Sequence, residues 1–194
     1  GREFSYELIA AVAPTTKGEL DQALQQLTES GLAFRRGTPP DATYTFKHVL
    51  VQDVAYDSLL KSRRQELHAT VAQIIEERFP EVQETDPELL ARHCERADRI
   101  QDAIGYRLRA GEQARARSAY SEAQGQFNEG LRLLQKMSAS ELTTRTEIDL
   151  LTALGPVLMA KEGQGSNSVR ILYERARELC AKIGEEKQMF GVTF

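Results

Sequence analysis

Three histidines and two cysteines are the side chains best suited to metal or nucleophilic chemistry here, and their spacing argues against both. His48, His68 and His93 stand 20 and 25 residues apart. That lacks the i, i+3 or i+4 interval by which one helix presents two ligands together. His93 and Cys94 are adjacent, so on a helix they leave in different directions and one ion could hardly use both. Cys94 and Cys180 make neither a paired zinc motif nor a disulfide scaffold, and Cys180 falls on an apolar stripe. The sequence holds no Gly-Lys-Ser/Thr phosphate loop, no His-Glu-x-x-His pair and no serine elbow. The expectation is a chain with no catalytic residue, no metal ligand and no cofactor of its own.

The arginines invite a nucleic-acid reading. Arg outnumbers Lys 18 to 7, and residues 81–135 use Arg at all eight basic positions. Ten acids interleave with those eight, the pattern of solvated, ion-paired helix faces rather than an RNA groove. Lys61, Arg63 and Arg64 cluster without an obvious acidic partner, which suits either a phosphate or domain contact or an exposed corner. Residues 1–47 read as two helices and a hairpin, most of a winged helix. Its second helix nevertheless offers Glu19, Asp21 and Glu29 with Lys17 as the one cation, and a helix entering a major groove cannot lead with carboxylates. Arg35 and Arg36 beside the turn do not reverse that. With a net charge of −4, no direct nucleic-acid partner is expected.

The 194 residues are 41% hydrophobic and 28% charged, enough for one large domain or two small ones. No apolar run reaches the length of a bilayer span, so no membrane partner is expected. With cysteine used this sparingly, a reduced, cytoplasmic setting is the expectation. The chain opens abruptly on Gly1-Arg2-Glu3-Phe4 and closes on the apolar run Met189-Phe190-Gly191-Val192-Thr193-Phe194. Both ends read as cuts through a longer protein.

The elements follow from periodicity and punctuation. Phe4, Leu8, Ile9 and Val12 recur at helical spacing up to Pro14. Thr16 and Glu19 form a capping box for a helix striped by Leu20, Ala23, Leu24 and Leu27, which Gly31 ends. Residues 32–35 and 43–46 alternate around the turn Gly37-Thr38-Pro39-Pro40-Asp41, the one sheet signal in the chain. From His48 the period is helical throughout. Leu50, Val54, Leu59 and Leu60 mark one helix. Ser62 and Gln65 suggest a second capping box, before a stripe of Leu67, Val71, Ile74 and Phe79. Residues 80–85 read as a linker, and Asp86-Pro87 restarts a helix. Residues 137–142 combine a capping box with a hydrophobic staple, and Gly163-Gln164-Gly165-Ser166 is a turn.

Small residues inside the later helices carry a pattern. Gly111, then Ala123, Phe127 and Gly130, follow a small, small, large, small order. The small residues let two helices approach closely and the aromatic fills the hole between them. Leu154-Gly155, then Val169, Tyr173 and Ala176, repeat the order with two extra residues in the turn. This resembles the tetratricopeptide repeat, although Arg107 and Leu151 stand where each first helix of that repeat carries an aromatic.

The stretch Phe34-Arg35-Arg36-Gly37-Thr38-Pro39-Pro40-Asp41-Ala42-Thr43-Tyr44-Thr45-Phe46-Lys47-His48, continuing through Tyr56 and joined by Arg64, Leu67 and His68, resembles a region of bacterial class III adenylate/guanylate cyclases. In that family a cyclase domain precedes a STAND-type, AAA-related ATPase, then a winged helix and tetratricopeptide-like repeats. Gly1-Arg2-Glu3-Phe4-Ser5 is similar to the approach to that winged helix. The resemblance implies that the cyclase and the ATP/ADP-binding loop lie upstream of Gly1. Residues 46–55 are also similar to the Met-His-Asp segment of STAND winged helices, whose histidine reaches the β-phosphate of bound ADP. Carried over, that position is His48, with Lys47 and Val49 in place of Met and Asp. The alternative at His48 is a side chain bonded to the wing backbone.

The expected fold is mainly α: a truncated winged helix with one β-hairpin over 1–60, a connecting helix and linker over 61–85, and tetratricopeptide-like antiparallel hairpins over 86–194 forming a right-handed α-superhelix. The expected role is non-catalytic: regulation and protein interaction in a multidomain signalling ATPase. The upstream ATPase module and an unidentified protein or peptide on the repeat face would be its partners. The alternatives are the sensor region of a LuxR-type STAND transcriptional regulator and a DNA-binding winged helix.

Overall fold

The computed structural model describes residues 3–184 of the chain. The protein is mainly helical with a small three-stranded antiparallel sheet, and it divides into two compact units, Gly1–Pro80 and Glu81–Phe194. Residues 61–80, expected to begin a connector, belong to the first unit. The apolar run 189–194 lies outside the described residues.

The first unit runs β1 (Glu3–Ser5), α1 (Tyr6–Val12), α2 (Lys17–Glu29), β2 (Ala33–Arg36), β3 (Thr43–Phe46), α3 (Val49–Asp57) and α4 (Lys61–Arg78). β1 corrects the expectation that Phe4 begins a helix and that the hairpin is the whole sheet. Glu3, Phe4 and Ser5 pair with Thr45, Tyr44 and Thr43, which gives the strand order β1-β3-β2. The Phe4 ring stacks on Tyr44 with centroids 5.6 Å apart. Phe4 and Leu8 look helically spaced because a strand ends and a helix begins between them. Ser5 caps α1, its hydroxyl accepting from the Leu8 N–H at 3.2 Å. Tyr6, Leu20, Leu24, Ala42 and Tyr44 form the core, flanked by Phe4, Ile9, Ala13 and Leu27.

The Thr16–Glu19 capping box opens α2 as expected. The Thr15 hydroxyl (2.7 Å), the Thr16 N–H (3.0 Å) and the Thr16 hydroxyl (2.8 Å) all donate to one Glu19 carboxylate oxygen. Together they hold the Glu19 carboxyl at about 2. Gly31, at φ +71°, turns the chain out of α2 into β2. α4 departs from expectation in two ways. It starts at Lys61 with Leu60 as N-cap and no side-chain cap bond, so Ser62 and Gln65 make no capping box. The three-residue link from α3, Ser58 to Leu60, brings the helix in before Ser62 can cap it. Its buried face is His68, Ala72 and Ile75, one position along from the expected stripe, whose members are half-buried at its edge.

Residues 80–85, expected as a linker, form the short helix α5 (Pro80–Thr85). The reason is local: proline suits a first helical position because its missing N–H would be unpaired there anyway. In the second unit follow α6 (Pro87–Arg96), α7 (Ile100–Ala116), α8 (Tyr120–Leu134), α9 (Glu141–Glu162) and α10 (Asn167–Ile183). Asp86 caps α6, Ser140 and Thr143 make a capping box for α9, and Ser166 caps α10. Each helix from α6 packs on the next, and α7 also meets α9. The α6–α7 and α7–α8 turns share one geometry. Asp98 (φ 63°) and Ser118 (φ 60°) take left-handed backbone, and the next N–H returns to Cys94 O at 2.9 Å and Ala114 O at 2.8 Å.

The expected close approaches are present. A Cβ on Gly111 would overlap the Phe127 ring, and one on Gly155 would overlap the Tyr173 phenol. Phe127 is fully buried and Tyr173 nearly so. Among the described residues no helix is long and apolar enough to cross a membrane.

Two measurements check these packing and capping arguments. A Cβ on Gly105, in the same helix as Gly111, would meet nothing within 4 Å. Gly105→Ala should therefore raise unfolding stability by about 0.5–1 kcal/mol, whereas Gly111→Ala should lower it by about 1–3 kcal/mol through overpacking. Urea melts of the two variants should shift in opposite directions. The Glu19 carboxyl is depressed on folding, so its cap is fully stabilising above the ordinary carboxylate value and is lost as pH falls through about 2. An NMR titration should place its midpoint near 2, and Thr16→Ala should move that midpoint upward.

Candidate functional site

His48 is the N-cap of α3, with extended backbone (φ −126°), an exposed side chain and no side-chain capping bond. α3 therefore begins with its first-turn N–H groups uncovered by a side chain, beside an imidazole. That is the local chemistry of an anion contact. Its carbonyl accepts from Val51 N at 3.1 Å. The preceding residue, Lys47, hangs its ammonium 5.7 Å from the centre of the Phe34 ring. Lys47 N also donates to Leu32 O at 2.9 Å, tying this corner to β2.

The helix that follows His48 ends at Asp57, short of its expected reach to Leu59 and Leu60. Its Leu50 and Val54 are 76% and 70% exposed, and Leu60, the N-cap of α4, is 77% exposed. Val49 and Phe34 are 48% and 59% exposed, and α3 has no buried residue. An apolar helix face turned to solvent beside an exposed aromatic is uncommon for a domain that works alone. Periodicity shows only that apolar residues share a face. It does not show which side of the helix the rest of the unit covers.

α3 is held to α4 by Tyr56 and Asp57 on one side and Arg64 and His68 on the other. Tyr56 Oη lies 3.0 Å from His68 Nε2, with the two rings edge to face at 5.7 Å. The Arg64 guanidinium sits 5.0 Å from the Tyr56 ring centre and donates to Asp57 Oδ1 at 3.0 Å. Arg63 pairs with Glu66 at 3.0 Å. Arg63 and Arg64 thus have the acidic partners that the sequence did not reveal. Arg35 and Arg36 lie on the exposed part of β2.

In the second unit most surface arginines are ion-paired as expected, for example Arg132 with Glu129 and Arg175 with Glu147, each at 2.8 Å. Arg107 is the exception. It is 8% exposed and donates to the buried Gln126 Oε1 at 2.7 Å, while its Nε has no partner. Glu95 and Glu88 lie 3.8 and 4.0 Å away. Burial pushes the Glu95 carboxyl up, but Arg132, Lys136 and Arg107 outweigh it and hold the group below the ordinary value. Sequence reasoning flagged Arg107 only as the place of a missing aromatic. Among the described residues no cluster of three His, Cys, Asp or Glu could hold a metal ion, and Cys94 and Cys180 are buried.

No protein-family model matches the chain, and no solved structure matches it. It is 31% identical over 195 residues to an uncharacterized protein of Rhizobium meliloti (strain 1021), a match covering 99% of the chain and 19% of that relative. The chain thus spans about a fifth of the length of the curated relative it matches.

If Leu50 and Val54 contribute nothing to the fold of this chain, their replacement should be silent in a melt. Leu50→Ser with Val54→Ser should leave unfolding stability within about 0.5 kcal/mol, and should reduce binding of a fluorescent hydrophobic dye. A loss of several kcal/mol would mean that the face is covered.

Proposed function

We propose that this chain is a non-catalytic regulatory segment of a multidomain signalling ATPase of the class III adenylate/guanylate cyclase type. In this reading it transmits nucleotide state or partner binding to the output domain. The observation that carries the reading is the exposed apolar face of α3, with His48 at its N-terminus and no core beneath it. Such a face fits a neighbouring module packed against this one, with the histidine at the contact and available to the phosphate of ADP held by that module.

The architecture supports the same reading at each end. A strand before two helices, closing onto the far strand of a hairpin, suits a winged helix that lacks its leading helix. The glycine–aromatic contacts and the repeated three-residue turns suit tetratricopeptide-like hairpins stacked as a right-handed superhelix. Such a stack presents a concave face to a protein or peptide. The length of the relative, most of which lies outside the match, agrees with a multidomain parent.

The test uses the full-length parent loaded with a fluorescent ADP analogue. His48→Ala should speed nucleotide release severalfold. Leu50→Asp with Val54→Asp should uncouple cyclase output from nucleotide state while ATP binding persists. Release and output that are both unchanged would refute the reading.

A further inference from the structure

The first unit contains a cleft of about 390 Å³ formed by α1, the start of α2, the β2–β3 turn at Pro40 and the end of α4. It does not include His48 or the α3 face, and it is independent of the function proposed above. Its apolar walls include Ala11, Leu20 and Phe79, and two cations, Lys17 and Arg78, stand among its lining residues. Both cations are exposed, and neither has an ion-pair partner among the described residues. Among the lining side chains the two cations outnumber the one acid, Glu7, which is likewise unpaired among the described residues, while the carboxylates of Asp21 and Glu19 stand behind the lining.

The other polar groups around the cleft are already committed. The Tyr6 hydroxyl donates to Asp21 at 2.7 Å, and the Thr15 hydroxyl donates to Glu19 at 2.7 Å. The Glu19 N–H in the first turn of α2 donates to Thr16 Oγ1. What remains for a ligand is an apolar floor with two exposed cationic side chains. The volume lies in the range of small-molecule sites, which run from about 300 to 1,000 Å³, and is small for a folded segment of another protein.

We propose that this cleft binds a small organic carboxylate with an apolar body. The body would lie against Leu20 and Phe79, and the carboxylate would be held by Lys17 and Arg78. A neutral molecule of the same shape would gain the apolar contact and lose the charge. Glu7 opposes the anion, so it sets the sign of a test that a purely hydrophobic cleft would fail.

The probe is hydrocinnamate, titrated into the whole chain and followed by amide NMR shifts, with its uncharged amide hydrocinnamamide as control. Saturable shifts should appear at Ala11, Leu20 and Phe79 with hydrocinnamate and be much weaker with the amide. Lys17→Ala with Arg78→Ala should weaken binding about three- to tenfold, as two partly solvated ion contacts allow. Glu7→Gln should tighten it by about twofold through removal of a like charge. Should the double variant lose its fold, Glu7→Gln and the amide control still decide. Equal binding of acid and amide, no saturable shift at these residues, or no tightening in Glu7→Gln would overturn the proposal.

Discussion

In the second unit the decisive constraint is the space left by missing side chains. Phe127 and Tyr173 are large rings buried between paired helices, and each lies where a Cβ on the facing helix would collide with it. Glycine at 111 and 155 lets the backbones close until each ring fills the space. A buried phenylalanine of this kind contributes about 3–5 kcal/mol relative to alanine. That gain exceeds the cost of the left-handed residue Ser118 in the turn that joins α7 to α8. Asp98 and Ser118 adopt left-handed backbone, a conformation costing about 1–2 kcal/mol for a residue with a Cβ. The helix pairs fix the distance the turn must span, and the strained residue accommodates it.

The same hairpin accepts a buried charge in a place where a ring would be easier to bury. Arg107 gives up solvent for one hydrogen bond to Gln126 and two carboxylates slightly beyond hydrogen-bond range, with its Nε unpaired. Such an arrangement adds little stability, because desolvation offsets most of the attraction. It does join elements: Glu88 and Glu95 stand on α6, Arg107 on α7 and Gln126 on α8. Glu95 also draws in Arg132 and Lys136. A single polar and ionic network thus spans α6, α7 and α8.

Features set by neighbours in sequence were legible, and features set by distant partners were not. The Thr16 box, the Asp86 cap and the Gly111–Phe127 contact each need only a short window of sequence. β1 was missed because three residues carry no period, and only Tyr44, forty residues on, makes Phe4 a strand residue. Arg107 was unreadable because its burial depends on Gln126 and on two acids from another helix. At the candidate site, His48 was placed at the start of its helix correctly. The Tyr56–His68 contact could have been suspected from their spacing across a turn. The exposure of Leu50 and Val54 could not, since an apolar stripe looks the same whether its partner lies in the same chain or outside it.

That ambiguity bears most directly on α3. Each large apolar side chain moved from water into a contact gains about 1.5–3 kcal/mol. Leu50, Val54, Leu60 and Phe34 together therefore represent a substantial gain left unused in this chain. The helix bearing three of the exposed apolar residues, Val49, Leu50 and Val54, is also tied to α4 through Tyr56, His68 and Arg64. A module settling on Leu50 and Val54 would consequently push on α4 as well as on α3. Because His48 begins the same helix, a contact made there would be felt along that route. α3 thus has no buried residue of its own, is clasped to α4 at its far end and carries an exposed imidazole at its near end.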